Sequence, residues 1–241
     1  MKLGGFMKYG KIISLILLTI LAPLAVFSQE TVSTADKSRA EVTVEQEYLS
    51  TVEDVIIKGL AESDNFDTKL VALQHIEDAL AEGRISPEIE VALEGLAGEG
   101  VLREERTANR LSNNYPQIRT KACELLGQVK TKQSKETLLK IANAEKEPMV
   151  LSSAIRSLGQ IGINDNDDVT NAIAWVEHQT SILNPTDSLA YEVLDAYEVL
   201  LPTVTHKEAM IESITKIASN YRYVTPIRTK ALDLLKTLSN N

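Results

Sequence analysis

Apolar residues recur along most of the chain at spacings of three and four, the interval that returns side chains to one face of an α-helix. Three stretches superpose without gaps: 118–129 IRTKACELLGQV, 150–161 VLSSAIRSLGQI and 227–238 IRTKALDLLKTL. In each, apolar residues fall at offsets 0, 4, 8 and 11: Ile118, Ala122, Leu126, Val129; Val150, Ala154, Leu158, Ile161; and Ile227, Ala231, Leu235, Leu238. A small alanine takes the second place each time, which suits close crossing of two helices, because interaxial distance follows side-chain size at the contact. Leu189, Val193, Tyr197 and Leu200 form a more diverged copy, and 67–80, with Ala72 and Ile76, a weaker one.

Other helical stretches lie between these copies. The pattern predicts five pairs: 47–63 with 67–81, 87–98 with 116–130, 134–144 with 148–162, 167–182 with 187–201, and 207–219 with 225–239. Val52, Val55, Ile56 and Leu60 are the expected buried stripe of the first helix, and Ile173, Trp175 and Val176 the expected core of the seventh. Pro87 suits a first helical turn, where its missing N–H costs nothing. Ser134 and the run Asp165 to Asp168 are the expected N-caps of their helices. Residues 99–115, EGVLREERTANRLSNNY, are polar and charged, an irregular insertion with a short extra helix expected around Glu104 to Leu111. No segment shows the alternation and β-branched enrichment of a strand. Equivalent positions 122, 154, 193 and 231 are 32, 39 and 38 residues apart, and two helices per such period indicate an all-α solenoid in one domain over 46–241.

The repeated segments resemble the HEAT-repeat family, in which the second helix reads roughly Pro-x-Val-Arg, then alanine, then Leu-Gly-x-Ile. Residues 116–129, PQIRTKACELLGQV, follow that pattern closely; 148–162 carries Leu151 in place of the arginine; 226–238 has its proline one residue late and no glycine. The resemblance implies a right-handed superhelix whose second helices line an inner surface. It also implies a ladder between neighbouring repeats, built from an aspartate before the second helix and the arginine within it. Arg119 and Arg228 match that arginine, but neither Asn113, Asn114, Tyr115 nor Tyr223, Val224, Thr225 supplies the aspartate, so no continuous ladder is expected.

The N-terminus departs from this pattern. Lys2, Lys8 and Lys11 precede an apolar run from Ile12 to Phe27, after which the chain turns abruptly polar, the layout of a secretory signal peptide over 1–28. Val26 and Ser28 place cleavage after Ser28, and Met7 offers an alternative start. A sixteen-residue, mostly apolar run broken by Pro23 falls short of the roughly 20 residues that span a bilayer, so a periplasmic or secreted location is expected, with an uncleaved inner-membrane anchor as the alternative. Residues 29–45 read as a flexible lead-in.

Composition narrows the chemistry. Removing the first 28 residues and their three lysines leaves 22 basic against 34 acidic residues, a net of −12, which disfavours nucleic acid as a ligand. The single cysteine, Cys123, aligns with Ile155 and Leu232 and reads as a small core residue rather than a nucleophile. His75, His178 and His206 fall in different repeats. The run NDNDD at 164–168 has the oxygen density of a calcium loop but lacks the glycine and glutamate of an EF-hand, so a capping turn is favoured. No catalytic, cofactor or metal residue is assigned. The expected function is a non-catalytic scaffold that binds a protein or peptide partner through the concave face of its second helices, with an enzyme or accessory subunit, or a structural envelope component, as alternatives. Arg119 and Arg228 are candidate contacts on the inner face, although an inter-repeat role suits both arginines better. Tyr221, Arg222 and Tyr223 form a candidate patch in the last turn, because Tyr and Arg are enriched in binding hot spots.

Overall fold

A computed structural model describes residues 43–240. The signal-like segment and almost all of the expected lead-in lie outside the described residues. Ten α-helices follow there in order: α1 Val44–Ala61, α2 Phe66–Ala81, α3 Pro87–Ala97, α4 Pro116–Val129, α5 Lys132–Ala144, α6 Pro148–Ile161, α7 Asp168–Leu183, α8 Asp187–Leu200, α9 Glu208–Ser219 and α10 Thr225–Asn240. Each odd helix packs on the even helix after it, and each also packs on its counterpart in the next pair. The result is an α-solenoid of five pairs with an odd layer and an even layer. The offset stripes supply the core between them. Ile118, Ala122, Leu126, Val150, Ala154, Leu158, Val193, Tyr197, Leu200 and Ala231 are wholly buried, and only Leu235 of the even-helix stripes is partly exposed. Burying such a leucine stabilises by roughly 1.5–3 kcal/mol.

The repeated LGQ glycines mark where the even helices approach most closely. A Cβ on Gly127 would lie 2.7 Å from the side chain of Ser157, and one on Gly159 only 3.0 Å from the backbone of Ala196. Glycine therefore lets α6 settle on α4, and α8 on α6, in the two most extensive helix contacts of the fold. The aligned residues in α2 and α8 are Glu77 and Glu198, and there the next even helix makes far fewer contacts. Lysines bridge those looser seams: Lys121 Nζ reaches Glu77 at 2.6 Å, and Lys230 Nζ reaches Asp195 at 2.7 Å and Glu198 at 3.1 Å.

Several local expectations require correction. The first helix starts at Val44, and its stripe is turned: Val52, Val55 and Ile56 face outward, while Asp54, Ile57 and Ala61 are buried. α1 is apolar on two sides, and on the buried side Asp54 pairs with Arg84. The cap of α5 is Thr131, whose hydroxyl accepts from Ser134 N at 3.0 Å; Ser134 itself is buried and donates to Glu90. The N-cap position of α7 is Asp167, within the expected run, but its side chain makes no capping bond; Asn164 Oδ1 accepts from Val169 N and Thr170 N instead.

The insertion holds no helix. It forms a β-hairpin, β1 Arg106–Thr107 and β2 Arg110–Leu111, turned by Ala108 and Asn109, both with positive φ (50° and 63°). Two such residues make the type I′ geometry whose twist matches a hairpin. Asparagine tolerates that conformation, whereas Ala108 was no cue for it. Asn113 holds the base, accepting from Glu105 N and donating to Arg103 O.

Candidate partner-binding surface

The ladder that the sequence did not show is present in another form. Lys69 and Arg119 occupy the fourth position of α2 and α4, and each pairs with a glutamate just beyond the next odd helix. Lys69 Nζ meets Glu99 at 2.9 Å, and Arg119 Nε meets Glu145 at 2.7 Å. Arg119 also donates to the Glu99 carbonyl at 3.3 Å and to Asn114 Oδ1 at 2.9 Å. Glu145 Oε1 accepts from Lys146 N and Glu147 N, fixing the entry to α6. Two rungs thus link the first three repeats. The equivalent residues of α6 and α8 are Leu151 and Ala190, both buried, so the ladder stops where apolar packing takes over.

This geometry corrects the placing of two candidate contacts. Arg119 is 1 % exposed and its donors are engaged inside the stack, so it is a positioning residue between repeats and offers no surface to a partner. Tyr223 is buried too, and burial pushes its hydroxyl up to about 12. The other three gather at the α9–α10 turn. Tyr221 is 87 % exposed, the Arg228 guanidinium sits 5.1 Å from its ring centroid, and exposed Arg222 donates to the Ile182 carbonyl. Asp187 Oδ1 accepts from Val224 N and ties this turn to the start of α8.

The solvent-facing side of the even layer carries features that the sequence reading missed. Between α6 and α8 a cleft of about 270 Å³ is bordered by Arg156, Gln160, Tyr191, Asp195 and Val199. Tyr191 and Val199 are largely exposed, and Lys230 lies 5.2 Å from the Tyr191 ring. Arg156 grips Glu192 through two bonds of 3.0 and 2.6 Å, and a partner carboxylate on α4, Glu124, stands 3.7 Å away. On the other side of α8, where Glu198 replaces the glycine, a wider groove of about 800 Å³ opens against α10. Its floor includes Leu201, Pro226 and Leu234, and its rim Glu198, Lys230 and Asp233. The available signal for this groove was the missing glycine in the last two repeats.

The groups with chemical potential are dispersed. Cys123 is fully buried, and desolvation raises its thiol far above the usual range, the opposite of what a nucleophile needs. Asp165 and Asp168 both pair with Lys135, while buried Asp167 accepts from Thr205 N and His206 N, so the acidic run joins segments of the stack. His75 stands 3.8 Å from Glu53, His178 3.2 Å from Lys216 and His206 3.0 Å from Asp167. Among the described residues, no three metal-ligating side chains converge. Trp175 is not core, as expected, but 53 % exposed, because Ile173 and Val176 take the inward face of α7.

The sequence model of the family described as HEAT repeats matches residues 105–180, from the β-hairpin through α4, α5 and α6 into α7. The HEAT-repeat resemblance is thus shown for the middle of the chain, where the glycine contacts lie. No curated protein and no solved structure matches the chain significantly.

Proposed function

We propose that this chain is an exported, non-catalytic scaffold that holds a protein or peptide partner against the solvent-facing side of its even helices, the face expected to be concave. HEAT repeats commonly serve as protein-interaction scaffolds. A solenoid offers an extended surface of variable side chains in place of a deep enclosed pocket. The observation that carries the reading is the pair of clefts flanking α8, where Tyr191 and Val199 stand exposed beside an apolar floor ringed by ion pairs. Tyrosine and arginine at the rim suit hot-spot contacts. The lysines and apolar run of residues 1–28 support export, and cleavage after Ser28 would leave a chain beginning at Gln29.

Affinity capture from a cell-envelope extract tests the surface. The wild-type chain is expected to retain a partner that Tyr191→Ala with Val199→Glu releases, with unchanged thermal stability. Identical capture by both proteins sinks the choice of face. Mass spectrometry of the exported protein tests the location, and a mass that retains residues 1–28 favours the anchored alternative.

A further inference from the structure

The odd helices share a register in which an aliphatic residue is followed four places on by alanine: Leu93 and Ala97 in α3, Leu138 and Ala142 in α5, Ile214 and Ala218 in α9. In α7 the aliphatic residue is Ile173, and the place of the alanine is taken by Glu177. The residue is 2 % exposed, and neither carboxylate oxygen has a partner in full hydrogen-bond geometry, although Ser181 and Ser213 stand near enough to favour its charged form. Tyr197 Oη on α8 and Ser213 Oγ on α9 lie near each other but likewise make no bond of full geometry. Unpaired buried polar groups are rare and costly, and an unpaired buried carboxylate most of all.

Both Glu177 oxygens lie out of reach of water, but the residue borders the surface. It lies in the wall of a cleft of about 280 Å³ between α7 and α9, lined also by Asn171, Trp175, Glu212, Ser213 and Lys216. The one cation in that lining, Lys216, is held by Glu212 at 2.6 Å and lies 3.2 Å from His178 Nδ1. Burial keeps the Glu177 carboxyl protonated up to about 7, although the neighbouring Ser181, Lys216 and Ser213 pull in the other direction. Trp175, the only tryptophan of the chain, stands half-exposed in the same wall.

We propose that the α7–α9 cleft is a binding site for a primary ammonium or guanidinium group, which donates hydrogen bonds to Glu177 and packs against the Trp175 indole. A cation supplies what the buried carboxylate lacks, a charged donor. An anion meets repulsion there, and a neutral apolar group leaves the carboxylate unpaired. The indole is the best aromatic partner for such a cation. The charge is carried either by a small free amine or by a lysine or arginine side chain of a partner, and both present the same chemistry to Glu177.

Fluorescence of the single tryptophan reads the site directly. The full chain is titrated with n-butylamine and methylguanidinium, with n-butanol as the neutral control, and with end-capped pentapeptides of glycine around one central lysine or arginine. Both small cations are expected to give a saturable change that n-butanol does not. Glu177→Ala, which installs the residue of the sister helices, and Glu177→Gln, which keeps the shape, should each weaken the response at least tenfold. A peptide that acts at lower concentration than n-butylamine assigns the cation to a partner's side chain, and the reverse order assigns it to a free amine. No saturable change, an equal response to n-butanol, or a response untouched by both Glu177 variants overturns the proposal. Tyr191→Ala with Val199→Glu should leave these titrations unchanged, so the site stands or falls apart from the even-layer surface.

Discussion

The even helices meet across two kinds of seam. At α4–α6 and α6–α8 a glycine lies against the neighbouring helix and the contact is extensive; at α2–α4 and α8–α10 a glutamate stands in that place, the contact is sparse, and lysines bridge the gap. One residue per repeat therefore sets the spacing. The ion pairs divide differently, by burial: Lys69–Glu99 and Arg119–Glu145 lie inside the stack, whereas Lys121, Lys230 and Arg156, which bridges the close seams, are part-exposed. Ion pairs of the first kind are costly to break, and those of the second kind contribute little.

The largest effect should come from Arg119→Ala. It leaves Glu145 buried without its cation and should cost about 3–5 kcal/mol in urea unfolding; a loss below 1 kcal/mol would mean that the rung is ornamental. Next, Gly159→Leu forces side-chain bulk against the Ala196 backbone and should cost about 3 kcal/mol, against less than 1 kcal/mol for Glu198→Leu in the open seam. Equal costs at the two positions would abolish the distinction between seams.

A smaller effect carries a pH signature. The Glu177 carboxyl titrates at about 7 in the fold, above its ordinary value of 4.5, so the folded chain binds more protons than the unfolded one between those limits. Stability from this group is full below pH 4.5 and is lost as pH rises through 7. Glu177→Ala should therefore raise stability by about 2–3 kcal/mol at pH 8 and by much less at pH 4. A pH-independent gain would show that the carboxyl titrates normally. The smallest change belongs to Lys230→Ala, about 0.5 kcal/mol and weaker still in high salt. A loss of several kcal/mol there would place the last seam among the close ones.

The helices were legible because each stripe repeats with the same offsets, and the pairing followed from their alternation. Ala122, Ala154 and Ala231 announced close packing, and the structure adds Gly127 and Gly159 as the points of nearest approach. What escaped the sequence were features set by neighbours distant along the chain. Glu99 and Glu145 are unremarkable glutamates until the fold brings Lys69 and Arg119 to them. Tyr223 looks like its exposed neighbour Tyr221 and is buried only by how the last turn docks. The hairpin was missed because Ala108 gives no sign of a positive φ. Glu177 had a usable signal, a charge in a column of alanines, but only once the odd helices are aligned as carefully as the even ones. Trp175 was misplaced for the same reason.

The glycine seams also give the protein a mechanical character. Across the even layer the helices are joined tightly in the middle and loosely at both ends, so that layer behaves as a spring of uneven stiffness. Stretched or bent along its length, it should yield first at α2–α4 and α8–α10, while α4, α6 and α8 move as one block. The groove beside α10 would then widen or narrow with little strain while the centre keeps its shape.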